Sequence, residues 1–280
     1  MLSVQSFCLK EELAVDMHET IRQIHEIGYD SFEPLLVFDE KQGKKPANLF
    51  SFERMTQLKP ILDSYGMTIP TAHAGIGYGN FFMPTKRIIS SMRKMHELYG
   101  IRYFVVGGLF KNARGAKAWA KVCSAVAEGI KDCGCKIVYH NHDVEFTKIN
   151  IKGRTLTAMD YFMEIVSPDV MLQPDIGWVS NAADEVEFVK KYADRIISIH
   201  LKDLKPESKN YIATNMPAEM FTAIGDGCVK TKEVLALMDT LPNLHGRLVV
   251  DQDKSTVGMM KDMKRSYENI QTILANNRRG

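Results

Sequence analysis

The stretch Lys136-Ile137-Val138-Tyr139-His140-Asn141-His142 joins an apolar run to two histidines that lie two residues apart. Three other apolar runs end in side chains that can bind a metal, and these endings are Gln173-Pro174-Asp175, Ile199-His200 and Val250-Asp251. A parallel strand that is buried on both faces is a short, unbroken run of Val, Ile and Leu. In a closed barrel of such strands, reactive groups gather where the strands finish. The pattern therefore favours an α/β barrel with its chemistry at the strand ends.

Eight predicted strands alternate with eight predicted helices along the 280 residues. The strands are predicted at 2–7, 31–33, 68–73, 102–106, 136–140, 170–175, 195–200 and 247–251, and the helices at 16–27, 51–65, 88–99, 116–133, 158–166, 185–192, 229–238 and 263–274. This number and order predict a (βα)8 TIM barrel that residues 1–280 form as a single domain. A doubly wound open sheet is the alternative. The segment Ser6-Phe7-Cys8-Leu9-Lys10, which follows the first strand, is not the glycine-rich phosphate loop that such a sheet often carries.

Composition and charge argue against several other classes of protein. Lys and Arg total 36 while Asp and Glu total 34. The sequence therefore shows no basic stripe along which a nucleic acid could bind. No apolar stretch approaches the ~20 residues of a membrane span, and the first residues lack the pattern of a signal peptide. The 5 cysteines are scattered and odd in number, which favours reduced thiols over a disulfide framework. We expect a cytoplasmic protein without nucleic-acid or membrane partners.

Asp175, His200 and Asp251 each close a predicted strand, and closure of the barrel would bring the three side chains together. Carboxylates and imidazoles that converge from different elements are the donors that a divalent ion needs. On the fifth strand, alternation places His140 and His142 on the same side, so one imidazole could bind the ion while the other moves a proton. For each residue alone, the alternative is a helix-capping aspartate or a hydrogen-bonded core histidine.

Further side chains near the strand ends are candidates for substrate contact or proton transfer. Glu145 follows the histidine pair and could swing from a loop onto the ion or a substrate hydroxyl. Glu33 and His73 end the second and third strands and could bind substrate hydroxyls, whereas the pair Lys202-Asp203 could hold a ketone oxygen or a phosphate. Trp178 could form an aromatic wall against the C–H groups of a sugar. For Glu145 the alternative is a solvated glutamate on a loop. For Glu33, His73, Lys202 and Asp203 the alternatives are helix caps or salt bridges. For Trp178 the alternative is a buried tryptophan without a role in binding.

Five segments, in order, resemble the sugar isomerase and epimerase superfamily related to xylose isomerase, which also includes inosose dehydratases and endonuclease IV. They are Tyr139-His140-Asn141-His142-Asp143-Val144-Glu145-Phe146, Gln173-Pro174-Asp175-Ile176-Gly177-Trp178, Ile199-His200-Leu201-Lys202-Asp203, Gly225-Asp226-Gly227 and Val249-Val250-Asp251-Gln252-Asp253. The resemblance implies a xylose isomerase-like TIM barrel. In the epimerases of this family a metal, usually manganese, is held by Glu, Asp, His and Glu, and the two glutamates exchange the substrate proton.

The resemblance implies that Asp175 and His200 bind the metal, with His140 at the position of the first glutamate and Asp251 at that of the last. This chain therefore departs from a symmetric two-glutamate epimerase. The resemblance also implies that Asp226 contacts the substrate. We expect manganese as the divalent ion, with zinc, cobalt or magnesium as alternatives. We also expect a homo-oligomer, because relatives commonly form dimers or tetramers.

The resemblance implies chemistry at a carbonyl of a small-molecule sugar substrate. A divalent ion polarises the carbonyl, and a His or Glu removes the adjacent proton to give an enediolate. The expected function is a metal-dependent sugar or keto-sugar isomerase or epimerase, with His142, Glu145 and Lys202 as catalytic residues. Loss of a β-substituent from the same intermediate would make the protein a lyase or dehydratase acting on an inosose or a 3-keto-glycoside. A noncatalytic sugar-binding barrel subunit and a DNA-repair enzyme are the remaining alternatives.

Overall fold

The computed structural model describes residues 1–38, 46–78 and 81–277, and within them eight parallel strands form a barrel. They are β1 Leu2–Gln5, β2 Ser31–Glu33, β3 Ala72–Gly75, β4 Tyr103–Gly107, β5 Lys136–His140, β6 Met171–Gln173, β7 Ile199–Leu201 and β8 Leu248–Val250. The strands β7, β8, β1 and β2 pair in that order, as do β6, β5, β4 and β3. Parallel bridges from Ser31 to Thr68 and from Leu172 to Ile196 join the two sheets, so the predicted (βα)8 barrel is confirmed.

Helices separate successive strands, and their apolar faces join the core. They are α1 Met17–Ile27, α2 Phe52–Ser64, α3 Thr85–Tyr99, α4 Ala113–Ile130, α5 Ala158–Ile165, α6 Glu185–Lys191, α7 Thr231–Leu235 and α8 Met259–Asn277. In α1, the Asp16 side chain accepts a hydrogen bond from the Glu19 backbone N–H at 2.9 Å, and Gly28 ends the helix with a φ of 119°. Ile21 and Ile24 are fully buried on its inner face. The predicted start and end of this helix are therefore set by local sequence signals.

The third strand begins later in the chain than the predicted segment 68–73. Thr68 makes one parallel bridge to β2, and Pro70 has no N–H with which to extend that pairing. The regular strand therefore starts at Ala72. A short helix that the sequence did not predict, Ile176–Ala182, follows β6. These shifts leave the order of strands and helices unchanged.

The loops between the barrel elements carry further short elements. They include the helix Glu12–Val15, the strand Leu35–Val37, which pairs in parallel with β3 and with Leu49–Phe50, and the antiparallel pairs Gly77–Tyr78 with Phe81–Phe82, Lys148–Ile151 with Arg154–Thr157, and Asp203–Leu204 with Phe221–Thr222. None of the helices in the described ranges is long and apolar enough to cross a membrane.

Candidate metal centre and active site

Four side chains from consecutive strands meet at the carboxyl end of the barrel. The donor atoms of His140, Asp175, His200 and Asp251 all lie within 4.8 Å of one another, and all four residues are buried. Two imidazoles and two carboxylates form a donor set that suits a divalent cation. The ring of His140 is not committed elsewhere, since its buried Nδ1 atom makes no hydrogen bond to any described residue. The residues at this site therefore fit a divalent metal ion.

Asp175 uses its two carboxylate oxygens for different purposes. Its Oδ1 atom accepts a hydrogen bond from the Trp178 backbone N–H at 3.0 Å and so caps the helix Ile176–Ala182. Its Oδ2 atom faces the cluster and lies 3.9 Å from Nε2 of His140. Helix capping and metal binding, which are alternatives at the level of sequence, are therefore compatible in one side chain.

His200 is held between two carboxylates. Its Nε2 atom lies 2.7 Å from Oε1 of Glu33, and its Nδ1 atom lies 3.2 Å from Oδ2 of Asp251. Burial disfavours the charged imidazolium, but the two carboxylates outweigh it and raise the pKa of His200 to about 10. Because Glu33 occupies Nε2, the Nδ1 atom faces the cluster, an arrangement that is common for histidine ligands of metals.

Glu33 does not take the role in substrate binding that the sequence predicted. It has no exposed surface, and the Thr71 hydroxyl donates a hydrogen bond to one of its oxygens. Although burial disfavours a carboxylate, the neighbouring His200 and His73 lower the pKa of Glu33 to about 2. Glu33 is therefore a charged residue that orients His200, and its full burial keeps it out of reach of a substrate.

His73 lies beside this carboxylate and faces the cavity above. Its Nε2 atom is 3.0 Å from Oε1 of Gln173 and 3.4 Å from Oε1 of Glu33. The Gln173 amide also donates to Oε2 of Glu33 at 2.9 Å and to the Ser198 hydroxyl at 2.8 Å. Burial lowers the pKa of His73 to about 4, so its ring is neutral near pH 7. His73 lines the cavity, and its predicted contact with a substrate hydroxyl stays a prediction; the bridging role of Gln173 was not predicted.

The ammonium group of Lys202 lies within the cluster of carboxylates. Its Nζ atom is 3.1 Å from Oδ2 of Asp175 and 3.0 Å from Oδ2 of Asp251, and the side chain is only 1% exposed. Asp253 Oδ2 lies 3.0 Å from the same ammonium. Burial opposes the charge, but these carboxylates raise the pKa of Lys202 well above its ordinary value. Asp253 was missed as a site residue, although its spacing of two from Asp251 is the signal that could have found it.

His142 carries a basic nitrogen beside the cluster. Its Nδ1 atom lies 3.1 Å from the carbonyl oxygen of Gly108, which can only accept a hydrogen bond. The neutral ring therefore carries its proton on Nδ1, which leaves Nε2 with a free lone pair. Burial lowers the pKa of His142, but the neighbouring Glu145 carboxylate outweighs this effect and raises it.

The structure corrects the prediction that Glu145 swings from a loop onto the ion or the substrate. Residues Val144–Phe146 form a turn of 3-10 helix, and Glu145 has no exposed surface. Its Oε1 atom accepts a hydrogen bond from the Tyr139 hydroxyl at 3.1 Å and lies 3.6 Å from Nδ1 of His142. Glu145 is therefore a positioning residue that acts through His142.

A cavity of about 460 Å³ opens onto the cluster, a volume typical of sites for small molecules. Its polar lining includes His73, His140, His142, Lys202, Asp251 and Asp253, and its apolar lining includes Phe7, Leu35, Leu109, Trp178, Met216 and Phe221. The ring centroid of Trp178 lies 4.5 Å from the Lys202 ammonium, and the residue is 2% exposed, so its role as an aromatic wall stays a prediction. The cavity therefore combines charged groups with apolar groups that can pack on C–H surfaces.

Asp226 lies outside the cavity, contrary to the prediction that it contacts the substrate. Its carboxylate accepts hydrogen bonds from Arg265 and Asn269 of α8 at 3.0 Å, on the exposed surface. The neighbouring glycines instead contact Asp203. The Asp203 carboxylate accepts hydrogen bonds from the backbone N–H of Gly225 at 2.7 Å and of Gly227 at 3.1 Å. The Gly-Asp-Gly segment is therefore a structural loop that Asp203 holds, and Asp203 is not free to bind a substrate.

The chain matches the model of the xylose isomerase-like TIM barrel family over residues 21–270. It therefore belongs to that family. Among curated proteins, the inosose dehydratase of Klebsiella pneumoniae is 26% identical over 230 residues, which cover 70% of this chain and 73% of that protein. This chain spans half or less of the length of several other curated inosose dehydratases that it matches.

Solved structures share the barrel at low sequence identity. A sugar phosphate isomerase/epimerase from Parabacteroides distasonis aligns with a TM-score of 0.77 and 19% identity, covering 99% of this chain and 94% of that chain. The IOLI protein, solved with a bound zinc atom, aligns with a TM-score of 0.69 and 12% identity, covering 99% of this chain and 98% of that chain. At these identities the likeness shows the shared fold.

Proposed function

We propose that this protein is a divalent-metal-dependent enzyme that isomerises or epimerises a sugar or keto sugar. One observation carries the proposal: the free Nε2 of His142 and the cluster of His140, Asp175, His200 and Asp251 are placed together at one cavity. A base beside a cation site is what abstraction of a proton next to a carbonyl requires. Manganese is the proposed ion, and the zinc in the related IOLI structure supports a divalent metal in this barrel.

The side chains divide the proposed reaction between them. A cation held by His140, Asp175, His200 and Asp251 would polarise the substrate carbonyl and stabilise the enediolate. His142 removes the proton from the adjacent carbon with Nε2, while Gly108 and Glu145 hold its other nitrogen. Because the ammonium group of Lys202 borders the cavity, it can donate a hydrogen bond to a substrate oxygen. Trp178 packs against the C–H groups of the sugar.

Dehydration is the second candidate function. Elimination of water removes a proton from the carbon and returns a proton to the departing hydroxyl; His142 can take the first proton and pass it on, while the Lys202 ammonium donates a hydrogen bond to the departing hydroxyl. According to the family resemblance, His140 and Asp251 stand at the positions of the two glutamates. This chain therefore lacks the pair of glutamates that exchanges the substrate proton in the family's epimerases. The similarity to the Klebsiella pneumoniae inosose dehydratase supports this candidate, with an inosose or a keto-glycoside as substrate.

Exchange of substrate protons in D2O tests both candidates at once. The protein, loaded with Mn²⁺, is incubated with a panel of ketoses, inososes and 3-keto-glycosides, and proton NMR follows the C–H signal next to each carbonyl. We expect exchange with at least one substrate, accompanied by an epimer or isomer. Exchange accompanied by loss of water would assign the dehydratase function instead.

The variant His142→Gln is the matched control, because glutamine retains a polar side chain but has no basic nitrogen. We expect it to keep its metal and lose the exchange. A wild-type protein that binds sugars and exchanges none of them would contradict the proposed enzyme and support a sugar-binding barrel subunit.

A further inference from the structure

The thiol of Cys8 lies against Asp251, the fourth member of the metal cluster. Cys8 follows β1 in a tight turn, where its backbone N–H donates to the carbonyl of Gln5 at 3.2 Å. Its side chain is 3% exposed, and its Sγ atom lies 3.4 Å from Oδ1 of Asp251. The backbone N–H of Gln252 donates to the same sulfur at 3.0 Å. The thiol is therefore fixed from two sides and directed at the carboxylate.

The two oxygens of Asp251 have separate partners. Oδ2 lies 3.2 Å from Nδ1 of His200 and 3.0 Å from Nζ of Lys202, so it faces the cluster. Oδ1 faces away, and the Cys8 thiol is its hydrogen-bond partner among the described residues. The thiol proton has one other nearby acceptor, the carbonyl of Val250 at 3.8 Å. The shorter distance and the negative charge favour the carboxylate as the acceptor.

We propose that Cys8 is a positioning residue of the metal centre, whose thiol holds the Asp251 carboxylate so that Oδ2 points at the ion. This inference rests on the proposed metal site. Without the thiol, the buried Oδ1 loses its partner, and the carboxylate can rotate about its Cα–Cβ and Cβ–Cγ bonds. Removal of such an outer partner of a metal ligand typically weakens metal binding by about 10–100-fold.

The test is a titration of Co²⁺ into the metal-free protein, followed by visible absorption. The wild type is compared with Cys8→Val, which is close in volume but has no proton to donate, and with Cys8→Ser, which restores a donor. We expect Cys8→Val to bind Co²⁺ about 10–100-fold more weakly and Cys8→Ser to recover most of that loss. Cys228→Ala removes an exposed thiol and should bind Co²⁺ like the wild type.

The outcomes separate this inference from the metal site on which it rests. A wild-type protein that binds no Co²⁺ would overturn the metal site itself. Equal affinities in the wild type and Cys8→Val would overturn only the role of Cys8. An intense sulfur-to-cobalt charge-transfer band in the wild type would also overturn it, because the thiol would then be a ligand. Circular dichroism of each variant verifies that the barrel is folded, and Cys8→Ala, which also has no proton to donate, takes the place of Cys8→Val if that variant does not fold.

Discussion

Nδ1 of His142 and Oε1 of Glu145 lie 3.6 Å apart, and the carboxylate of this pair has no exposed surface. The Tyr139 hydroxyl donates a hydrogen bond to the same oxygen at 3.1 Å, and this bond fixes the position of the carboxylate. Since Gly108 accepts the Nδ1 proton, the nitrogen left free beside the cavity is Nε2. A carboxylate beside a histidine raises the basicity of the ring and restricts its rotation.

The replacement His142→Gln is expected to lower kcat by about 10²–10⁴-fold, the usual contribution of general acid–base catalysis. Its metal content should remain at the level of the wild type, because His142 is not among the four clustered donors. Steady-state kinetics on the substrate that shows exchange, together with elemental analysis, provide the measurement. An unchanged kcat would show that another group removes the proton.

Replacement of Lys202 should destabilise the metal-free protein more than the metal-loaded protein. Lys202→Met keeps the length of the side chain but leaves Asp175, Asp251 and Asp253 without their buried counter-ion. Loss of one partner of a buried ion pair typically costs about 3–5 kcal/mol, so we expect a loss of that order in the free energy of unfolding without metal. A bound divalent cation neutralises the same carboxylates, so the loss should shrink when Mn²⁺ is present.

Urea denaturation with and without Mn²⁺ measures this difference, and Lys117→Met, which removes an exposed lysine of α4, is the control. An equal loss of stability under both conditions would show that Lys202 and the metal do not share these carboxylates.

Metal affinity is expected to rise with pH. The pKa of His200 is raised to about 10 in the metal-free protein, yet a histidine must be neutral to bind a metal. Metal binding therefore displaces one proton from His200 at any pH below about 10. Burial and the neighbouring histidines lower the pKa of His140 far enough that it adds no proton near neutrality. The affinity should increase about tenfold for each pH unit, and thus about 100-fold between pH 6 and 8.

Titrations with Co²⁺ across this pH interval, in buffers that do not bind metals, test the expectation. An affinity that does not change with pH would mean that His200 is already neutral before the ion arrives.

Asp226→Asn is expected to leave kcat/KM unchanged, because the carboxylate pairs with Arg265 on the surface. An exposed ion pair of this kind contributes about 0–1 kcal/mol, so the midpoint of thermal unfolding should move only slightly. Kinetics and thermal denaturation of the variant, beside the wild type, provide the measurement. A large rise in KM would show that Asp226 contacts the substrate, as the family resemblance implies.

The sequence predicted the barrel and the convergence of four donors because both depend on local patterns. Apolar runs identify the strands, and parallel strands of a closed barrel end at the same rim, so side chains at the ends of β5 and β7 and just beyond β6 and β8 must approach one another. The third strand was misplaced because an apolar pattern does not show that Pro70 interrupts the pairing. The order of elements was predictable even where their exact ends were not.

The contacts within the site were less predictable, because they join residues that are far apart in the sequence. Glu33 and His200 are separated by 167 residues, and no local pattern shows that this carboxylate points inward. Glu145 lies beyond the end of β5, so the alternation of side chains along a strand no longer determines where its side chain points. The 3-10 turn that contains Glu145 sets that direction instead. Asp226 was assigned from a resemblance alone, while its exposed position depends on the packing of α8.

Metal analysis of the purified protein, by elemental mass spectrometry, tests the central proposal most directly when wild type and His200→Ala are measured side by side. We predict a near-stoichiometric divalent ion in the wild type, with manganese preferred on loading, and its loss in His200→Ala. A wild-type protein that contains no divalent metal and cannot be loaded with Mn²⁺, Zn²⁺, Co²⁺ or Mg²⁺ would contradict the metal-dependent enzyme proposed here.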